Sequence, residues 1–273
     1  MKEIQKILGI IGGGNMGEAI IMGVLEEGVF KERNILVGEI KEERRKYLGE
    51  RYGISPLKDN STVVEKSDIV ILAVKPQEIG RVLEEIRWIR EEDKLFISIA
   101  AGVTIRFIEE KLGEVRLIRC MPNLCIRVKE GITALSPGRK ARREDIEQCR
   151  KIFLTLGEVV EVEEKFLDTI TALSGSGPAY VFYFMESLIQ TGKEMGLNED
   201  LSRRLIFQTF QGALRLLDIE PDPGKWRKRV TSPGGTTERA IGYFEESKLS
   251  DILREGVRRA KIRAEELSRQ LTG

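Results

Sequence analysis

The sequence predicts an α/β protein in which a doubly wound sheet occupies residues 1–163 and an all-helical domain occupies residues 164–273. Short apolar runs alternate with longer helical patterns as far as residue 162, and no further strand pattern appears beyond that point. Strands that alternate with helices are joined by right-handed crossovers, which build a parallel sheet with helices on both faces.

Seven apolar runs are candidate strands of this sheet. Residues 69–74 are the clearest, because Ile-Val-Ile-Leu-Ala-Val is apolar throughout and suits a parallel strand covered on both faces. The predicted strands are 6–11, 35–37, 69–74, 95–99, 115–119, 132–135 and 158–162. The predicted helices among them are 16–27, 41–52, 78–89, 104–112 and 142–156.

The C-terminal domain is predicted from helical patterns alone. Its helices are expected at 165–173, 178–195, 200–217, 236–246 and 249–271. Residues 180–185, Tyr-Val-Phe-Tyr-Phe-Met, are apolar on nearly every side, so a helix there must be buried all round. A domain of roughly one hundred residues hardly encloses such a helix alone, which favours a partner subunit; packing within the chain is the alternative.

The composition excludes several kinds of chemistry. The 273 residues include no histidine, which excludes Ser–His and Cys–His catalysis and any histidine-ligated metal, and we expect no metal site. The 45 basic and 44 acidic residues give a net charge of +1, so no basic excess attracts nucleic acid or an anionic membrane. Cys120, Cys125 and Cys149 match no zinc motif and are expected to be reduced thiols.

Charge and hydropathy also indicate where the protein works. Charged residues of both signs make up 33% of the chain, as in many thermophile proteins with ion-paired surfaces, and thermophily is one hypothesis. No apolar stretch approaches the length that spans a membrane. We therefore expect a soluble, cytoplasmic protein.

A glycine-rich turn follows the first predicted strand and begins the first helix. The pattern Gly12-x-Gly14-x-x-Gly17 is typical of dinucleotide binding in this context. Gly12 permits the tight turn, Gly14 lets the backbone approach a pyrophosphate, and Gly17 lets the helix pack closely on the strand. With Asn15 and Met16 inside the turn, the sequence predicts a dinucleotide cofactor here.

The residue at the end of the second strand bears on which nicotinamide cofactor binds. Glu39 stands there, and an acidic side chain at this position usually accepts hydrogen bonds from the ribose hydroxyls, which favours NADH. Lys41, Arg44 and Arg45 follow closely and could instead hold the 2′-phosphate of NADPH, or form the solvated face of a helix. The sequence leaves this choice open.

Three further loops lie just past predicted strand ends, where open α/β sheets bind their ligands. They are Ala73-Val74-Lys75-Pro76, Ala100-Ala101-Gly102 and the segment that ends at Asn123. The small residues of the second loop would let a nicotinamide ring approach, and Asn123 could bond a carboxamide or a ribose. Lys75 is a candidate charge for the cofactor cleft, although an exposed loop lysine is as common at such a position.

A second anion site is predicted where a glycine bend meets a helix. Residues 230–237 read Val-Thr-Ser-Pro-Gly-Gly-Thr-Thr. Gly234 and Gly235 let the backbone turn. The helix that begins at Thr236 has unpaired N–H groups and a positive dipole at its start. Such a loop could hold the carboxylate of a small substrate, so the sequence predicts a cofactor-dependent enzyme that acts on a small acid.

Five segments together resemble pyrroline-5-carboxylate reductase, and the resemblance covers nearly the whole chain. They are Gly-Gly-Gly-Asn-Met-Gly at 12–17, Val-Lys-Pro-Gln at 74–77, Met-Pro-Asn at 121–123, Ser-Gly-Ser-Gly-Pro-Ala-Tyr at 174–180 and Ser-Pro-Gly-Gly-Thr-Thr at 232–237. The family implies a Rossmann dinucleotide-binding domain followed by a helical domain that binds substrate and interlocks with its twin in a dimer. Such dimers commonly assemble into decamers.

The resemblance implies that the protein reduces the cyclic imine L-1-pyrroline-5-carboxylate to L-proline with NADPH or NADH, the last step of proline biosynthesis. The candidate substrate-binding residues are Ser232, Gly234, Gly235, Thr236, Thr237, Ser174 and Gly175. The family's hydroxyl that bonds the ring nitrogen falls on Thr237, the candidate catalytic residue. The chain departs from the family at two positions, Glu39, where a polar or basic residue is frequent, and Asp222, where some members carry histidine.

Three alternatives stay open. A β-hydroxyacid-dehydrogenase-like reductase places a catalytic lysine shortly after a glycine-rich turn, whereas Pro-Ala-Tyr-Val-Phe-Tyr-Phe follows Gly177 here. A reductase of another cyclic imine carboxylate differs in pocket size, which the sequence does not report. A non-catalytic nicotinamide-binding module would need the first glycine turn and not the loop at 232–237.

Overall fold

The computed structural model of the protein describes residues 3–89 and 93–272. Residues 271 and 272 are described by their backbone only. The chain divides into two compact units, one of residues 1–176 with 260–273 and one of residues 177–259. The boundary expected after residue 163 stays a prediction.

Eight strands form one sheet in the described part of the first unit. They are β1 (Leu8–Ile11), β2 (Ile35–Gly38), β3 (Ser55–Leu57), β4 (Ile69–Leu72), β5 (Leu95–Ser98), β6 (Arg116–Pro122), β7 (Gly131–Pro137) and β8 (Gly157–Glu161). Their order is β3-β2-β1-β4-β5-β6-β7-β8, in which β6 and β7 are antiparallel and the other neighbours are parallel. The predicted fold class and all seven predicted strands are confirmed, and β3 is an additional strand.

Twelve α-helices occupy the described residues, besides short 3₁₀ and π-helical turns. They are α1 (Asn15–Glu26), α2 (Glu42–Tyr52), α3 (Asn60–Glu65), α4 (Pro76–Ile86), α5 (Ile105–Leu112), α6 (Arg143–Phe153), α7 (Leu167–Ile170), α8 (Gly177–Glu194), α9 (Glu199–Ile219), α10 (Pro223–Arg229), α11 (Thr236–Glu246) and α12 (Leu249–Thr272). The single helix expected at 165–173 is wrong in detail, because α7 is followed by a wide π-helical turn at Thr171–Gly175. Thr171 Oγ1 donates to the Leu167 carbonyl, a bond that competes with regular helix geometry.

The central strands supply side chains to two separate cores. On β4, Ile69 and Ile71 pack into one apolar cluster, whereas Val70 and Leu72 pack into the other. All four side chains are fully buried. Burial on both faces explains why this strand is a continuous apolar run.

A buried ion pair joins β6 to α6. Arg116 Nε donates to Asp145 Oδ2 at 2.9 Å, and Arg116 Nη1 donates to the Asp93 carbonyl at 2.8 Å. Both charged side chains are buried, and the hydrogen bond to Asp145 raises the pKa of Arg116 above its ordinary value. Asp145 also accepts from the Arg142 backbone N–H at 2.8 Å, which caps the start of α6.

The second unit, all of whose residues are described, encloses no apolar core of its own. Ser202 is the one buried residue between 177 and 259. On α8, Phe182 is 56% exposed and Tyr183 is 70% exposed. The alternative that these two rings are buried within their own chain is therefore wrong. None of the described helices is long and apolar enough to cross a membrane.

Candidate functional site

The glycine turn between β1 and α1 is shaped by close backbone packing. Gly12 has φ +105°, and a Cβ there would lie 2.7 Å from the Ala73 carbonyl oxygen. A Cβ on Gly17 would overlap the Gly12 carbonyl oxygen. A Cβ on Gly14 would meet nothing within 4 Å. The first and third glycines are thus required by packing, whereas the second faces open space that a ligand can enter.

A cleft of about 340 Å³ opens beside this turn, at the carboxyl ends of β1, β2 and β4. The structure brings together there seven predicted cofactor residues: Gly12, Gly14, Asn15, Glu39, Ala73, Val74 and Lys75. Asn60, Glu78 and Arg81 also line the cleft, and sequence motifs did not indicate them. Glu78 and Arg81 could have been found from their helical spacing within α4, the helix that begins at Pro76 beside the cleft.

The other seven predicted cofactor residues do not line this cleft, and three of them lie in the turns around it. Met16 packs against the core, Gly17 is buried between α1 and β1, and Pro76 forms the first residue of α4. These residues shape the turns that surround the cleft. Their predicted contact with a cofactor stays a prediction.

The loop Ala100-Ala101-Gly102 follows β5 and lies against the end of α12 within the first unit. Gly102 has φ +75°, and a Cβ there would lie 3.4 Å from the Ser268 backbone nitrogen. Ala100 is buried. The small residues of this loop therefore admit a helix at close range, and the expected approach of a nicotinamide ring remains a prediction.

Two buried polar atoms without hydrogen bonds lie near the end of β6. Asn123 is 9% exposed and its Oδ1 has no partner, and Ser174 Oγ is buried without one. A Cβ on Gly175 would lie 2.7 Å from Met121 Cε, so the π-helical turn packs against this strand end. Because buried polar atoms are normally bonded, an unmet acceptor on Asn123 fits a ligand that donates an N–H, such as a nicotinamide carboxamide.

Glu39 is held at the end of β2 by two backbone N–H groups. Its Oε2 accepts from Gly13 at 3.1 Å and its Oε1 accepts from Lys41 at 2.9 Å. Both oxygens of the carboxylate are thus fixed between the glycine turn and the loop that follows β2. The side chain lines the cleft.

The two arginines after β2 form hydrogen bonds and an ion pair with other residues of the chain. Arg44 Nε donates to the Gly13 carbonyl at 2.6 Å, and Arg44 Nη2 forms an ion pair with Glu18. Arg45 Nη1 donates to the carbonyls of Glu39 and Ile40 at 2.9 and 2.8 Å.

Glu18 stays ionised beside Arg44. Burial opposes ionisation of this carboxyl, but hydrogen bonds from Arg44, Tyr52 and Tyr47 lower the pKa of Glu18 below its ordinary value. The two tyrosine hydroxyls donate to Glu18 Oε1 at 2.9 and 3.0 Å. Glu18 therefore neutralises the Arg44 charge on the side of the glycine turn.

The second predicted anion site lies in the second unit, at the start of α11. Gly234 has φ +72°, a conformation that favours glycine. The Gly235 N–H donates to the Ser232 carbonyl at 3.0 Å, and no side chain caps α11. The N–H groups of Thr236 and Thr237 occupy the first turn of the helix, where an α-helix has no carbonyl partner for them.

An acidic side chain already binds one of the loop's amides. The Gly234 N–H donates to Glu238 Oε2 at 2.7 Å. A cavity of about 450 Å³ beside the loop is lined by Gly234, Gly235 and Glu238, together with Arg239 and Tyr243. Ser232, Thr236 and Thr237 do not line this cavity, and their predicted contact with substrate stays a prediction.

The described residues contain no group of three or more acidic or cysteine side chains arranged to hold a metal ion. The Sγ atoms of Cys120 and Cys149 lie 3.4 Å apart as free thiols, and Cys125 is also free. Burial, reinforced by Cys149, raises the pKa of Cys120 well above its ordinary value. A thiol held protonated in this way is a poor nucleophile.

Comparisons with known proteins match both parts of the chain. A family model for pyrroline-5-carboxylate reductase dimerisation matches residues 164–267, and one for NADP oxidoreductase, coenzyme F420-dependent, matches residues 7–102. Pyrroline-5-carboxylate reductase 2 of Bacillus subtilis is 35% identical, with 98% of each chain covered. The pyrroline-5-carboxylate reductase of Methanosarcina acetivorans is 37% identical, with 98% of this chain and 100% of that chain covered. The structure of a Plasmodium falciparum pyrroline carboxylate reductase with NADP bound superposes with a TM-score of 0.89 at 29% identity, covering 98% of this chain and 100% of that chain.

Proposed function

Because the chain belongs to the pyrroline-5-carboxylate reductase family, we propose that it reduces L-1-pyrroline-5-carboxylate to L-proline with NADPH or NADH. This reaction would be the last step of proline biosynthesis. The observation that carries the proposal is the presence of two loops suited to anions, in a chain that matches reductases of this name along almost its whole length. One is the glycine turn beside the 340 Å³ cleft, and the other is the loop at the start of α11.

The cofactor is assigned to the first unit. Gly12, Gly14 and Asn15 would hold the pyrophosphate, Glu39 the adenosine ribose, and Asn123 the carboxamide. Met16, Gly17, Ala73 to Pro76 and Ala100 to Gly102 complete the proposed set. A reduced nicotinamide, when bound, supplies the hydride that converts the imine carbon into an amine carbon.

We infer that the loop Ser232–Thr237 binds the substrate, and the contacts of Ser174 and Gly175 with substrate stay predictions. The loop's free helix amides suit the carboxylate, and Thr237 carries a hydroxyl suited to bonding the ring nitrogen. A protonated imine is already strongly electrophilic, so the chain's main tasks are to orient the ring, exclude water and relay one proton. The sequence has no histidine, and a hydroxyl such as that of Thr237, together with water, could orient or relay that proton.

An absorbance assay tests the proposal. Purified protein is mixed with pyrroline-5-carboxylate and with NADH or NADPH, and the loss of reduced nicotinamide is followed. We expect turnover with at least one cofactor and formation of proline. The six-membered imine analogue serves as the matched substrate, and faster reduction of that ring would reassign the enzyme to another cyclic imine.

We also infer that the second unit forms a homodimer and that dimers assemble further, into decamers. The family model that spans this unit describes dimerisation. The exposed apolar side chains of α8 and α9 would be removed from water by a partner subunit. Light scattering on the purified protein would give the mass of the assembly. A monomer at micromolar concentration would contradict the inference.

Two further proposals concern the setting of the enzyme. Free cysteines suit a reducing compartment, and we infer that the protein works in the cytoplasm. The mixed charges and abundant ion pairs suit a thermophile protein. An apparent Tm in the ordinary mesophile range would contradict thermophily.

A further inference from the structure

Glu39 and the two arginines that follow it bear on the choice between the nicotinamide cofactors. We propose that this enzyme binds NADH in preference to NADPH, with Glu39 as the residue that determines the selectivity. In doubly wound folds the residue at the end of the second strand meets the adenosine ribose, whose 2′ substituent distinguishes the two cofactors. The inference rests on the proposed function only in taking a nicotinamide dinucleotide as the ligand of the cleft.

The first argument is that the Glu39 carboxylate is fixed. Its two oxygens accept from the Gly13 and Lys41 backbone N–H groups, at 3.1 and 2.9 Å. To move away from a 2′-phosphate, the side chain would have to break both bonds and leave two amides unpaired. A carboxylate held in place accepts hydrogen bonds from a ribose diol, whereas it repels a phosphate dianion.

The second argument is that the guanidinium groups of Arg44 and Arg45, the two arginines after β2, are already bonded within the protein. Arg44 is bonded to the Gly13 carbonyl and paired with the ionised Glu18. Arg45 is bonded to the carbonyls of Glu39 and Ile40, and so holds the loop after β2 in shape. These bonds fix the positions of both guanidinium groups, and the ionised Glu18 offsets the charge of Arg44.

Three exposed cations that line the same cleft oppose this inference: Lys41, Lys75 and Arg81. Lys41 is the nearest of them to Glu39 in the sequence. A lysine ammonium is a single, strongly hydrated charge on a flexible stem, and solvent screens it. It therefore offsets the fixed Glu39 carboxylate less than a bidentate arginine would.

Direct binding tests the inference without substrate. Purified protein is titrated with NADH and with NADPH, and the fluorescence of the reduced nicotinamide is followed. We expect the Kd of NADPH to exceed that of NADH by at least about tenfold, since a like-charge contact is costly. In Glu39→Gln this ratio should fall by about tenfold, mainly through tighter binding of NADPH. Glu42→Gln removes the same charge from an exposed site in the first turn of α2, and should change the ratio less than about twofold.

Two results would overturn the inference: wild-type protein that binds NADPH as tightly as NADH, or a ratio that Glu39→Gln leaves unchanged. If wild-type protein prefers NADPH and Lys41→Gln removes that preference, Lys41 rather than Glu39 determines selectivity. Thermal unfolding confirms that each variant folds, and Glu39→Ser replaces Glu39→Gln if the latter does not. A protein that prefers NADH but does not reduce pyrroline-5-carboxylate would refute the proposed function and leave the selectivity standing.

Discussion

The two units of this chain bury their apolar side chains in opposite ways. The first unit encloses two clusters of buried residues, and the rings of Phe30 and Phe153 lie inside one of them. The second unit exposes its large apolar residues, among them Phe182 and Met195, which is 79% exposed. The difference indicates that the first unit is stabilised by its own apolar core. The second unit needs a further surface, supplied by residues other than its own, to cover its exposed apolar side chains.

The ion pairs of the two units also differ in their burial. The Arg116–Asp145 pair of the first unit is buried, whereas the Lys193–Glu199 pair of the second leaves its side chains 40% and 47% exposed. A buried pair is sensitive to the loss of one partner, because the remaining charge is left without solvent. An exposed pair is screened and contributes little. Substitutions in the two units should therefore differ in the size and kind of their effects.

The largest effect is expected for Asp145→Ala in the first unit. It leaves the buried Arg116 guanidinium without its main partner, and the free energy of unfolding should fall by about 3–5 kcal/mol. Urea denaturation at fixed protein concentration measures this. Glu144→Ala is the matched control, since Glu144 also pairs with Arg116 but is 60% exposed, and it should cost less than about 1 kcal/mol. Equal losses in the two variants would show that burial does not set the strength of this pair.

Thr237→Ala should have the next largest effect, and on activity rather than folding. The variant removes the hydroxyl proposed to bond the ring nitrogen, and kcat should fall by roughly ten- to a thousandfold. Thr237→Ser keeps a hydroxyl and should restore most of the rate. Steady-state kinetics with pyrroline-5-carboxylate measure both variants. Wild-type kinetics in Thr237→Ala would remove this residue from the mechanism.

The sequence predicted the long and buried elements better than the short and exposed ones for a physical reason. Strands such as β4 are buried on both faces, so their apolar runs are continuous and their positions are clear. β3 and α3 were missed because they are short and Ser55–Leu57 is only partly buried, which leaves no apolar period to detect. α10 was missed similarly, since Pro223–Arg229 has no buried residue.

The residues of the candidate site also differ in how well the sequence could predict them. Glycines at 12–17 were predictable because backbone packing leaves no room for other residues at two of these positions. Asn60 was not predictable, because it reaches the cleft through folding of the missed α3 rather than through a motif. The bonds that engage Arg44 depend on the positions of Gly13 and Glu18, which lie 31 and 26 residues earlier in the sequence. Sequence spacing alone could not show whether this arginine was free.

A substitution on the apolar face of the second unit should act on association. Phe207 on α9 is 53% exposed and lies in a cavity of about 620 Å³ with Phe182 and Met185. If a partner subunit covers this face, Phe207→Asp should weaken the dimer by about 2 kcal/mol or more, because it replaces a large apolar contact with a charge that must be desolvated. Analytical ultracentrifugation over a dilution series measures the change. Gln208→Asp adds the same charge at the next, polar position, and an equal effect there would argue against a specific apolar interface.

The smallest expected effect concerns Glu238, which binds an amide of the proposed substrate loop. Its carboxylate accepts from the Gly234 N–H at 2.7 Å, in the place where the substrate's own carboxylate would compete for it. Glu238→Gln removes the negative charge but keeps an acceptor, so the KM for pyrroline-5-carboxylate should fall by about two- to threefold with kcat unchanged, a small effect because the side chain is exposed. Added salt should reduce the difference, since screening weakens the same repulsion in the wild type. Glu245→Gln, farther along α11 and paired with Arg227, should leave KM as it is. A fall in kcat in Glu238→Gln would instead mean that this carboxylate holds the loop in its active conformation. The conformation of that loop would then depend on one exposed hydrogen bond, whereas the conformation of the first unit depends on its buried core.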